Sequence, residues 1–147
     1  MKATELQIGD WVQIVEPCKY AGAIGRIKTL LDHKDDENAY FKVFLQNNTI
    51  HIGIDDICLE DIRPIPLTAE ILEKNGFENI GDDTYQLEEK PCWFWVDFFR
   101  HTYGCEYDTS TYEYEDDEHR LKLYGIPSVH ELQHALRLCG IEKEIEL

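Results

Sequence analysis

Two prolines in three residues, in Ile62-Arg63-Pro64-Ile65-Pro66-Leu67, constrain this chain more than any other feature. Each proline removes a backbone donor and pushes the residue before it into an extended conformation, so neither a helix nor a central strand runs through the segment. The prolines divide the 147 residues into blocks of different rhythm and predict domains at 1–66 and 67–147.

Ahead of the prolines the rhythm is that of strands. Residues 8–15, 25–31, 40–45 and 49–54 are apolar or alternating, with turn signals in the polar cluster 32–38 and at Asn47-Asn48. Asp55-Asp56-Ile57 reads as a short closing turn before a last strand at 59–63. Short strands this closely spaced suit a small β barrel.

Behind the prolines, Thr68 can cap a helix over 69–74 that Asn75-Gly76 stops. Three strand-like runs follow at 84–88, 91–99 and 112–124, the last interrupted by Glu115-Asp116-Asp117-Glu118. Trp93-Phe94-Trp95-Val96 places aromatics on both faces of a sheet and reads as a buried strand rather than an exposed ligand platform. The expected fold class is α+β: a small N-terminal barrel, then a helix-flanked antiparallel sheet.

His130-Glu131-Leu132-Gln133-His134 is a literal H-E-x-x-H, the spacing by which zinc peptidases stack two imidazoles on one helical face beside a general base. A zinc-dependent hydrolase would use His130 and His134 as ligands and Glu131 as the base. A third protein ligand is then needed; only thirteen residues follow His134, none of them His, and His101 or His119 would have to come from upstream.

The same residues carry a second reading. Ser128-x-x-Glu131 is a capping box, Pro127 precedes it, and Gly140 supplies a left-handed stop. On a wheel of ~100° per residue, Val129, Leu132, Ala135, Leu136 and Cys139 form an apolar stripe. His130, His134 and Arg137 lie opposite it, which predicts solvent-facing histidines and a structural Glu131. This reading assigns no catalytic residue, metal or cofactor.

Charge narrows the partners. Thirty acidic residues against fourteen basic ones give a formal net charge of −16, which opposes a general phosphate-binding surface. Residues 67–147 hold nineteen of the acidic residues and seven of the basic ones, and Glu115, Asp116, Asp117 and Glu118 are the candidate interaction residues within them. No apolar run reaches the length of a membrane span and Met1 leads into no signal-peptide core, so a cytoplasmic protein without a membrane partner is expected. Five cysteines without a C-x-x-C indicate neither a disulfide framework nor a zinc knuckle.

Gly9-Asp10-x-Val12-x-Ile14, followed by Lys19-Tyr20-Ala21-Gly22-Ala23-Ile24-Gly25-Arg26-Ile27, resembles the KOW-type SH3-like barrel of ribosomal and transcription-elongation proteins. The resemblance implies an SH3-like fold for 1–66. Nucleic-acid contact in such domains relies on basic loops. Here Lys19, Arg26 and Lys28 are the nearby cations, within seven basic and eleven acidic residues, so direct nucleic-acid binding is not expected.

Pro64-Ile65-Pro66-Leu67-Thr68-Ala69-Glu70-Ile71-Leu72-Glu73-Lys74-Asn75-Gly76-Phe77 and Val129-His130-Glu131-Leu132-Gln133-His134-Ala135-Leu136-Arg137-Leu138-Cys139-Gly140-Ile141 are similar to stretches of a family of small uncharacterised proteins encoded by anaerobic gut bacteria and their mobile elements. That resemblance implies an α-β-β-β-α order and no catalytic residue. The function expected from the whole sequence is an accessory protein of phage or mobile-element origin that binds a protein, its partner surface basic. The alternatives are the zinc hydrolase and an acidic nucleic-acid mimic that blocks a host nucleic-acid-binding protein.

Overall fold

In a computed structural model the chain is α+β and divides into two compact units, Met1–Ile65 and Pro66–Leu147. The structure describes residues 6–18, 20–31, 40–47, 50–90, 92–107 and 120–147.

The first unit is one antiparallel sheet in the order β4-β3-β2-β1-β5. Its strands are β1 (Trp11–Ile14), β2 (Ile24–Leu31), β3 (Tyr40–Asn47), β4 (Ile50–Cys58) and β5 (Ile62–Pro64), the last reached through a 3-10 turn, Leu59–Asp61. Alternation on β1 sends Val12 and Ile14 into a core with Leu6, Ile27 and Ile62. Gly9 holds the positive φ of 95° that starts this path, and its amide donates to the Ile27 carbonyl at 2.7 Å. The Arg26 guanidinium lies 4.5 Å from the Trp11 ring centroid.

Three expectations change here. Among the described residues no ladder joins β4 to β5, so the unit is an open antiparallel sheet of five strands in which β5 returns to pair with β1, not the barrel expected. Asp55-Asp56-Ile57 is not a turn: Val43 pairs with Ile54 and Phe41 with Ile57, so β4 carries one extra residue in a bulge and continues to Cys58. Pro64 pairs with Val12 inside β5 instead of lying in a linker. An edge strand tolerates it because the missing N–H need not face a neighbour. The polar cluster 32–38 lies outside the described residues.

The second unit begins with α1 (Ala69–Lys74), whose Thr68 hydroxyl accepts from the Ile71 amide at 3.4 Å. A five-stranded antiparallel meander follows, in the order β10-β9-β8-β7-β6. It comprises β6 (Glu78–Gly81), β7 (Thr84–Glu89), β8 (Cys92–Asp97), β9 (Thr102–Tyr107) and β10 (Arg120–Tyr124), and α2 (Val129–Leu138) closes the unit. Asp82 and Asp83, both at positive φ, make the left-handed turn that a tight β6–β7 hairpin requires.

Among the described residues the order is thus helix, five strands, helix, rather than the three-strand order expected. β6 escapes the sequence reading because all four of its residues are exposed and leave no alternation. β9 escapes because Gly104 interrupts its pattern.

Cys92, Phe94 and Val96 point to one side of β8 and are buried with Leu72, Phe77, Leu87, Leu132 and Leu136. Phe77 meets Phe94 edge to face, with centroids 6.5 Å apart. The C-terminal tail belongs to this core. Ile145 is fully buried, and the Asn75 side chain donates to the Glu146 carbonyl at 2.8 Å and accepts from the Glu146 amide at 2.9 Å.

Candidate functional site

The helix bearing the H-E-x-x-H is capped as the sequence predicts. The Glu131 carboxylate accepts from the Ser128 amide at 2.7 Å and from the Ser128 hydroxyl at 2.8 Å. Burial pushes the Glu131 pKa up, but the Ser128 amide, the Ser128 hydroxyl, His130 and His134 outweigh it and hold the carboxyl below its ordinary value.

His130 is not where the wheel places it. Its side chain is buried, with the residue 3% exposed, and Nδ1 lies 2.9 Å from the Ser128 hydroxyl oxygen. That hydroxyl gives its one proton to the ionised Glu131, so Nδ1 must carry a proton and donate to the Ser128 oxygen. The result is a Glu131–Ser128–His130 chain within the first turn of α2. The wheel fails because the first turns of α2 are covered beyond the apolar stripe: Gln133, at 1% exposed, is buried too, whereas Arg137 further along the same side is exposed. His134 stays half-buried, its ring edge-on to His130 with centroids 5.8 Å apart.

Among the described residues no group of three or more His, Cys, Asp or Glu side chains is arranged to hold a metal ion. His101 sits in the turn between β8 and β9, where its carbonyl accepts from the Gly125 amide at 2.7 Å. His119 and Glu115, Asp116, Asp117 and Glu118 lie outside the described residues.

The sheet face opposite Phe94 holds a hollow of about 500 Å³. Trp93 and Trp95, two apart on β8, project onto it side by side. Strand register sets their flanks. Gln86, Trp95, Gly104 and Lys122 form one row across four strands, and Glu88, Trp93, Glu106 and Arg120 form the next. Gly104 leaves the place beside Trp95 without a side chain. A Cβ there would come within 1.9 Å of the Leu121 carbonyl oxygen, so β9 and β10 approach as closely as they do only with glycine.

One end of the hollow is fixed by Asp97 and Arg100. The Asp97 carboxylate accepts from the Arg100 amide at 2.7 Å and from its guanidinium at 2.9 Å. Burial raises the Asp97 pKa, and these Arg100 bonds more than reverse the effect and keep the carboxylate ionised. The hollow therefore offers two indole surfaces, an amide from Gln86, hydroxyls from Thr84 and Thr102, and charges of both signs.

Sequence reasoning missed this face. The signal available was the i, i+2 spacing of Trp93 and Trp95, which the buried-strand reading absorbed. Comparison with family models, curated proteins and solved structures finds no match to this chain. No helix among the described residues is long and apolar enough to cross a membrane.

Proposed function

We propose that this is a protein-binding accessory factor whose second unit engages a partner through the Trp93/Trp95 face. The observation that carries this reading is a pair of half-buried tryptophans on an open sheet face, bordered by Gln86, Arg100, Glu106 and Lys122. Tryptophan is the residue most enriched among those that dominate binding energy, because it desolvates a large area while losing little conformational freedom. The mixed polar border suits backbone amides and carbonyls of an extended segment. The net charge of −16 favours a partner with a basic surface, which would be drawn in by long-range attraction.

The first unit fits the same role as an SH3-like module: its strand order β4-β3-β2-β1-β5 supports that reading. Arg26 is spent on Trp11, which favours protein contact over nucleic acid. The resemblance of the second unit to proteins of mobile elements supports a factor acting on a host or element-encoded protein. Glu131 and His130 bind within the helix cap and take no part.

The test is quantitative capture from a cell lysate with the wild-type chain and with Trp93→Ala and Trp95→Ala, each shown to be folded by circular dichroism. A partner retained by wild type, and bound at least about tenfold more weakly by either variant, is the expected result. Equal capture by all three chains would remove the face from the reading. Zinc copurifying in stoichiometric amount, with a hydrolytic activity lost in His134→Ala, would replace it with the metal alternative.

A further inference from the structure

Three of the five cysteines converge on the inner face of the second sheet. Cys92 on β8 and Cys105 on β9 are diagonal neighbours, since Cys92 pairs with Tyr107 and Phe94 with Cys105. Cys139 comes down on them from the end of α2, its Sγ 2.7 Å from that of Cys105. The three residues are 2%, 1% and 5% exposed. Nothing in the helix cap or in the tryptophan face uses them.

The two backbones that bring Cys105 and Cys139 together are independently held. Cys105 sits mid-strand between β8 and β10. Cys139 is the C-cap of α2: its amide donates to the Ala135 carbonyl at 3.1 Å, and its carbonyl accepts from the Tyr107 hydroxyl at 3.2 Å. An open cavity of about 300 Å³ is lined by Cys92, Cys139 and the segment from Gly140 to Lys143, and gives a small molecule access from solvent.

We propose that Cys105 and Cys139 form an oxidisable pair that a small dialkyl disulfide converts to a protein disulfide, with Cys139 reacting first as the nucleophile through the cavity and Cys105 resolving. Cys139 loses its proton to solvent and its thiolate attacks one sulfur of the reagent, whose S–S bond breaks and releases one thiolate. The Cys105 thiolate then attacks the Cys139 sulfur and expels the second. Two electrons pass from the cysteines to the reagent, and the two cysteine protons end on the two small thiols released.

At rest Cys92 and Cys139 are held as protonated thiols. Burial first, then the neighbouring Cys105 thiol, pushes Cys92 up to about 12, and burial raises Cys139 as well. Thiolate is therefore scarce, and the exchange runs on the scale of uncatalysed disulfide chemistry, minutes to hours. The product joins residues 34 apart in sequence and ties the end of α2 to β9.

The folded full-length protein is incubated with 2-hydroxyethyl disulfide, and its intact mass and non-reduced peptide map are recorded. The expected result is loss of two hydrogens, a Cys105–Cys139 cross-linked peptide, a melting temperature raised by several degrees, and reversal by dithiothreitol. Cys92→Ser should keep the cross-link, and Cys105→Ser should accumulate a mixed disulfide at Cys139. A link made instead through Cys92, or cross-linking only after unfolding in urea, would overturn the assignment. Should Cys105→Ser fail to fold, the wild-type peptide map decides alone.

Discussion

At the residue scale, Ser128 does more than cap. Its hydroxyl joins Glu131 to the buried His130, so Ser128→Ala removes a cap and strips a buried imidazole of a partner. We expect a loss of about 1–2 kcal/mol in urea denaturation. His130→Ala should cost about 2 kcal/mol or more, since it empties a buried site, while His134→Ala should cost under about 0.5 kcal/mol. Comparable losses at both histidines would mean that His134 carries a structural bond of similar weight.

Glu131 adds a pH signature. Its folded-state pKa lies below the ordinary 4.5, so its contribution to stability is complete above 4.5 and is lost as pH falls through the lowered folded value. The stability gap between wild type and Glu131→Gln should therefore be constant near neutrality and shrink below pH 4.5, measured by denaturant titration at each pH. The cap was legible in the sequence because Ser-x-x-Glu is a local pattern. The burial of His130 was not, because it depends on what covers the helix, and a wheel records only the helix.

At the element scale, legibility followed alternation. Helices α1 and α2 announced their own ends through Thr68, Ser128, Asn75-Gly76 and Gly140, and β8 announced both faces through Cys92 to Val96. The wholly exposed β6 carried no such signal, and Asp55-Asp56 resembled a turn because a bulge and a turn use the same residues. Gly104 lowered the strand signal of β9 for a structural reason, the approach of β10. Gly104→Ala should therefore cost about 3 kcal/mol or more, because the Cβ meets backbone, which cannot rotate away. Thermal denaturation reads it directly. A variant as stable as wild type would show that β10 separates from β9 at little cost.

At the scale of the whole molecule, each unit has a core of its own: Leu6, Val12, Ile14, Ile27 and Ile62 in the first, and the set around Phe94, Leu132 and Ile145 in the second. Fragments 1–65 and 66–147 should then each unfold cooperatively when expressed alone, and they should differ in their response to salt. The first carries seven basic and eleven acidic residues, the second seven and nineteen, so their net charges are −4 and −12. Repulsion within a unit grows as the square of its charge, which makes it roughly ninefold larger in the second unit at similar size. At ~0.15 M salt the screening length falls to about 8 Å, shorter than a unit of this size, and most of that repulsion is relieved. Raising salt from ~0.01 M should therefore lift the melting temperature of fragment 66–147 clearly and that of 1–65 hardly at all. Equal shifts in the two fragments would mean that the acidic residues of the second unit are already neutralised locally by its own cations.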